Sequence, residues 1–144
     1  MRALIQRVKR ASVSVSGEAV GRIENGILLL LGFVKEDTES DVERLLNKAL
    51  HYRVFPDADQ HMNLSLLGVG GALLVVSQFT LVADTKKGTR PSFSSAADPY
   101  TARRLYESFV ERAGEQCETA SGVFGADMQI SLVNDGPVTF MLES

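Results

Sequence analysis

The chain has 144 residues, 44% of them hydrophobic and 23% charged, with a net charge of −3 and a single cysteine. This length supports one domain, residues 1–144, large enough for a sizeable core, and one cysteine excludes an internal disulfide framework. The acidic total excludes a global field that gathers nucleic acid, so any RNA contact must use cations clustered locally.

The opening MRALIQRVKRASVSV scatters charges through its apolar residues, unlike a signal peptide. Ala3 to Val8 reads as a strand. Val13 and Val15 alternate with Ser12, Ser14 and Ser16 as a second, half-buried strand. Ser16-Gly17 and Asn25-Gly26 are turn signals, and Ile27 to Leu31 is an apolar run suited to a strand covered on both faces. The period then changes. Val42, Leu45, Leu46, Ala49 and Leu50 fall on one helical stripe, with Ser40-Asp41-Val42-Glu43 fitting a capping box at its start. His51 lies one place beyond that stripe and His61 lies in the loop DADQHMN. Both are read as structural or solvated rather than as general bases.

The stretch from Gln60 to Ala83 carries no formal charge when His61 is neutral, but its polar and glycine content argues against a membrane span. GVGG at 68–71 lacks the ending of a phosphate loop and reads as a turn. ALLVVSQFTLVA, residues 72–83, reads as a central strand, with Gln78 and Thr80 on one face and Ser77 and Phe79 on the other. Polar residues there either cap the strand end or contact a ligand. Lys86, Lys87 and Arg90 gather positive charge in the loop that follows, fit for phosphate contact or for plain solvation.

Asp98 as cap, Pro99 in the first turn and Gly114 at the end predict a second helix, with a stripe of Ala102, Leu105, Tyr106, Phe109, Val110 and Ala113. Cys117, flanked by Glu115, Gln116, Glu118 and Thr119, reads as an unreactive thiol. Met128–Val133 and Val138–Leu142 read as two further strands joined at Asp135-Gly136. The fold class is α+β: a mostly antiparallel sheet or open barrel with two packed helices. Pro137, directly after that Asp-Gly turn, cannot donate to a ladder. Either the turn is a variant, or the Gly136-Pro137 bond has a task of its own.

No CxxC, HExxH or close histidine pair is present to hold a metal. Two segments carry more information. SQFTL (77–81) and NDGPVT (134–139), together with LIQRV (4–8), RPSF (90–93) and SLVNDGPVTF (131–140), resemble the signature sequences of the D-aminoacyl-tRNA deacylases, the D-tyrosyl-tRNA deacylase family. The resemblance covers essentially the whole chain. It implies a cytoplasmic, β-rich homodimer with active sites at the subunit interface, acting on the 3′ end of aminoacyl-tRNA, with no metal or organic cofactor and no DNA or membrane partner. The reaction implied is hydrolysis of the ester of D-aminoacyl-tRNA, and of glycine on the wrong tRNA.

The resemblance further implies that Ser77, Gln78, Phe79 and Thr80 are the catalytic segment. It implies that Gly136, Pro137, Val138 and Thr139 select chirality, with a cis Gly136-Pro137 bond reaching into the partner's site and Arg7 holding that motif. Two fixed carbonyls would receive the substrate ammonium and crowd the place of an L side chain, whereas D side chains and glycine would pass. The Phe79 and Thr80 N–H groups are candidate oxyanion donors, aided by the RNA 2′-hydroxyl. Thr80 as a covalent nucleophile lacks an evident base. Lys86, Lys87 and Arg90 are candidate phosphate contacts. The competing class is a non-catalytic homodimer that binds RNA or small amines.

Overall fold

Strand β1 (Arg2–Val15) runs through the centre of the molecule and serves two cores. A computed structural model describes all 144 residues. In it Ala3 and Ile5 join one apolar cluster, while Val8, Ala11 and Val13 join another. The side-chain phase changes where the β1 pairing shifts register near Val8, and Lys9 and Arg10 are left exposed at the crossing. The two strands expected over this stretch are therefore one. The charged pair Lys9-Arg10 marks the change of face.

β2 (Glu18–Ile23) and β3 (Gly26–Gly32) pair antiparallel with successive parts of β1 on one side. β8 (Gln129–Glu143) pairs antiparallel along the other side. β6 (Ala72–Ser77) lies parallel to β3, and β7 (Thr119–Ser121) lies parallel to β6. The sheet is thus mixed: antiparallel around β1, and parallel where helical crossovers join the strands, as parallel pairing requires. Its ends, β2 and β7, curl toward each other into a nearly closed barrel. Gly21 in β2 comes so near β7 that a Cβ there would meet the Ser121 carbonyl oxygen at 2.8 Å.

Helix α1 (Glu39–His51) buries its predicted stripe, Val42, Leu45, Leu46, Ala49 and Leu50. Its capping box is Thr38 with Asp41, not Ser40 with Glu43, because the chain turns helical two residues earlier than the apolar stripe alone indicates. The Thr38 N–H donates to the Asp41 carboxylate at 2.8 Å. β4 (Phe55–Pro56) and β5 (Met62–Leu64) form a small hairpin around His61. GVGG falls within and after a one-turn helix α2 (Leu66–Val69), which Ser65 caps and Gly70 closes in the left-handed region. Helix α3 (Pro99–Gly114) matches its expected limits, and the Thr101 N–H donates to the Asp98 carboxylate at 3.0 Å.

α1, α2 and α3 supply side chains to the larger core on one face of the sheet, beside Ile27, Leu29, Leu31, Leu73 and Val75. The smaller core fills the barrel interior with Ile23, Leu28, Leu74 and Val76. Full burial of each such aliphatic side chain contributes about 1.5–3 kcal/mol. No helix is long and apolar enough to cross a membrane.

Candidate active site

The expected strand over residues 72–83 ends at Ser77. The Gln78 N–H donates to the Leu31 carbonyl at 2.8 Å, the last bond of that ladder, and residues Phe79–Val82 then wind into a 3₁₀ turn. Gln78 and Thr80 consequently do not alternate on a strand face. They meet across the turn, with Gln78 Nε2 donating to Thr80 Oγ1 at 2.5 Å. The first N–H groups of such a turn have no partner inside it. Those of Phe79 and Thr80 make no hydrogen bond within the chain.

Beside this turn is an open apolar pocket of about 520 Å³. Ser77, Gln78 and Phe79 form one edge, and Phe33, Phe124 and Met128 contribute much of its apolar wall. Neither histidine borders it. His51 Nδ1 lies 2.9 Å from the Asn47 carbonyl in the last turn of α1, and His61 is exposed at the β4–β5 hairpin. Asp57, Asp59 and His61 sit close together in that hairpin, an exposed trio apart from the pocket. Cys117 is half-buried, and burial, reinforced by the charge of Glu118, pushes its thiol pKa up. The thiol is therefore held protonated.

The second motif is not two strands and a tight turn. β8 runs continuously through it, with a bulge opposite Arg7 where residues 135–138 leave the ladder. The Gly136–Pro137 peptide bond is cis. Asn134 holds the neck of the bulge: its Oδ1 accepts from the Val138 N–H at 2.7 Å, and its Nδ2 donates to Thr139 Oγ1 at 3.0 Å and to the Val138 carbonyl at 3.3 Å. Gln6 Nε2 also donates to Thr139 Oγ1, at 3.2 Å.

Arg7 holds the tip. Its Nε donates to the Asp135 carbonyl at 2.8 Å and its Nη1 to the Val54 carbonyl at 2.5 Å. Its side chain is only 12% exposed, and Lys9 Nζ stands 3.3 Å from the Asp135 carboxylate. Gly136, at φ 147°, has no room for a side chain, since a Cβ would meet Val138 Cγ2 at 2.7 Å and Arg7 Nη2 at 3.3 Å. Gly136 and Pro137 themselves are exposed. They line, with Arg7, Lys9, Asp135 and Val138, a separate cavity of about 400 Å³ that shares no residue with the pocket beside Phe79.

Asn134 and Gln6 stand outside the residues singled out from sequence. Asn134 was detectable, because an asparagine next to Asp-Gly can hydrogen-bond nearby backbone in place of a ladder. Lys86, Lys87 and Arg90 lie in an exposed loop clipped by reciprocal Asp84–Ser92 backbone bonds of 2.8 and 3.0 Å, and none of the three makes an ion pair.

Residues 4–143 match the family model described as D-Tyr-tRNA(Tyr) deacylase. The chain belongs to that family. Membership places it among the deacylases, a class of hydrolases. As a member of the D-Tyr-tRNA(Tyr) deacylase family it is 60% identical over 144 residues to the D-aminoacyl-tRNA deacylase of Cellvibrio japonicus, with 99% of each chain covered. It is 58% identical over 144 residues to that of Escherichia coli O81, again with 99% of each covered. Among solved structures it is similar to one described as the c-Myc DNA Unwinding Element Binding Protein, with a TM-score of 0.95, 41% identity, and 100% and 99% of the two chains covered. The fold is also that of a probable eukaryotic D-amino acid tRNA deacylase, with a TM-score of 0.84 at 18% identity, covering 99% and 98% of the chains. The positions that suggested the family fall on β1, at the end of β6 and the turn after it, in the loop before α3, and on β8.

Proposed function

We propose that this chain hydrolyses the ester bond of D-aminoacyl-tRNA in the cytoplasm, releasing the free D-amino acid and tRNA, and that glycine on the wrong tRNA is also a substrate. The observation that carries this reading is the match of residues 4–143 to the deacylase family, with SQFTL and NDGPVT both intact. The site supports it chemically. An aminoacyl ester is already reactive, so positioning and oxyanion stabilisation suffice. The free N–H groups of Phe79 and Thr80 receive the developing oxyanion. Water attacks the carbonyl carbon, aided by the neighbouring RNA 2′-hydroxyl, and the 3′-oxygen leaves with a proton. The apolar pocket beside Phe79 receives the 3′-terminal base.

The Gly136 and Pro137 carbonyls act as the chiral filter from the partner subunit, with Val138 and Thr139 shaping the bulge and Arg7 bracing it. Two features favour a homodimer. β8 pairs with β1 alone, so its other edge is free. It also leaves Leu132, Val133, Phe140 and Met141 between 37% and 47% exposed. Within one chain the bulge and the 77–80 turn line different cavities, and a second copy would bring its bulge to this turn. Lys86, Lys87 and Arg90 contact phosphates.

The test is hydrolysis of matched substrates. D-Tyr-tRNA, D-Asp-tRNA and glycyl-tRNA are expected to be cleaved while L-Tyr-tRNA and L-Asp-tRNA persist. Equal rates on D- and L-tyrosyl-tRNA would overturn the filter, and no cleavage of any ester would leave the competing binding module.

A further inference from the structure

We propose that Phe79 and Phe93 form a stacking platform for the penultimate nucleotide of the tRNA 3′ strand, one step beyond the nucleotide that carries the ester. This rests on the deacylase reading and extends it from the reacting ester to the unpaired strand behind it.

Phe79 is 60% exposed and Phe93 38% exposed, although the apolar pocket at the rim of which Phe79 stands could have enclosed its ring. Their ring centroids are 5.0 Å apart with the planes tilted by 50°. The pair therefore braces itself while leaving aromatic surface open to solvent. Phe79 borders the pocket and Phe93 does not, so the pair extends from the pocket rim outward, along the path of a strand whose last residue occupies the pocket.

The charge around the pair has the matching sign. The loop that leads to Phe93 carries Lys86, Lys87 and Arg90 against a single carboxylate, Asp84, which already accepts from the Lys86 N–H at 2.9 Å. An exposed aromatic pair flanked by unpaired cations is the arrangement that holds single-stranded nucleic acid: rings stack on bases while cations follow the phosphates. Stacking tolerates any base, and every tRNA ends in the same unpaired nucleotides. The platform therefore adds affinity without choosing among tRNAs. A second copy of the chain could also cover exposed rings, but the three unpaired cations of the loop that leads to Phe93 favour a polyanion.

The test compares kcat/KM on D-Tyr-tRNA with kcat/KM on the D-tyrosyl ester of adenosine, which lacks the penultimate nucleotide. For Phe93→Ala the ratio of the two is expected to fall about 5- to 150-fold, and for Phe93→Tyr to stay near that of the parent. An abasic penultimate nucleotide should lower the parent's ratio by a similar factor and lower that of Phe93→Ala no further. An unchanged ratio, losses that add, or an equal loss on both substrates would overturn the platform, the last by showing that only the 79–82 turn was disturbed. So would a shift of Phe93→Ala toward monomer in sedimentation, which would assign the rings to the subunit interface. Titration with the free trinucleotide CCA reads the platform without hydrolysis. Phe93→Ala should weaken it by the same factor, so a protein that cleaves no ester but binds CCA through Phe93 refutes the deacylase reading alone.

Discussion

Thr80 stands at the site with its hydroxyl oxygen already accepting from Gln78 and with no histidine or carboxylate placed to take its proton. A Thr nucleophile without a base is a poor one, whereas the backbone N–H groups of Phe79 and Thr80 need no activation. Thr80→Val is therefore expected to keep its rate on D-Tyr-tRNA within about tenfold, since removing one positioned donor costs far more, about 10²–10³ in kcat. Mass spectrometry of quenched reactions checks the same point, because an acyl group on Thr80 would refute the non-covalent route. At this scale the residue types of the site were readable and their contacts were not. Arg7, Asp135 and Val54 are far apart along the chain, and nothing local in LIQRV indicates that a guanidinium there donates to two carbonyls. Thr80 and Gln78 suggested a shared face through strand alternation, but the chain had already left the ladder.

The elements that could be read from sequence carry their own punctuation. α3 was bounded by Asp98, Pro99 and Gly114 because capping and ring geometry are local effects. β1 and β8 were each divided in two, since a strand that changes core at Lys9-Arg10, or bulges at Gly136, looks like an interruption when its partner is unseen. Tyr106 in α3 shows an element acting on its neighbours. Its hydroxyl bonds the Val75 carbonyl at 2.9 Å, with the Gly122 carbonyl at 3.3 Å, and so ties the helix to β6 and to the chain just after β7. Burial pushes its pKa up to about 12 from 10.0. The folded state thus holds this proton more tightly than the unfolded chain, so stability is lost as pH rises from about 10 toward 12. Tyr106→Phe is expected to cost about 1 kcal/mol at neutral pH and to flatten that alkaline loss, as urea unfolding at pH 7 and pH 11 would show. A steeper loss would contradict it. The basic loop is an element of another kind, with no partner inside the fold. Replacing Lys86, Lys87 and Arg90 by Ala should weaken tRNA binding and reduce the slope of log K against log salt by about 2. An unchanged slope would place the phosphates elsewhere.

For the whole molecule, the sequence supported a mostly antiparallel sheet or open barrel with packed helices and left the parallel half of the sheet unseen, because strand direction depends on the path of the crossovers rather than on residue type. The free edge of β8 and its exposed apolar side chains predict a dimer. Met141→Lys, on that surface, should shift sedimentation toward monomer and abolish hydrolysis of D-Tyr-tRNA with it. A monomer that retains full activity would show that each chain carries a complete site.

The pairing of β1 with β8 also bears on when the protein becomes competent. Arg2 and Glu143 meet across 141 residues of chain, and Arg7 reaches the Asp135 carbonyl across 128. Closing loops of this size is slow compared with winding a helix, because their entropy is lost before the contacts form. During synthesis β1 emerges first and must wait, half its hydrogen bonds unmade, until residues 129–143 have left the ribosome. α1 and the antiparallel unit of β1, β2 and β3 can form meanwhile, but the bulge braced by Arg7 cannot. A time course of refolding should therefore show helical circular dichroism returning ahead of deacylase activity, with catalysis appearing only as the barrel's most distant strands join.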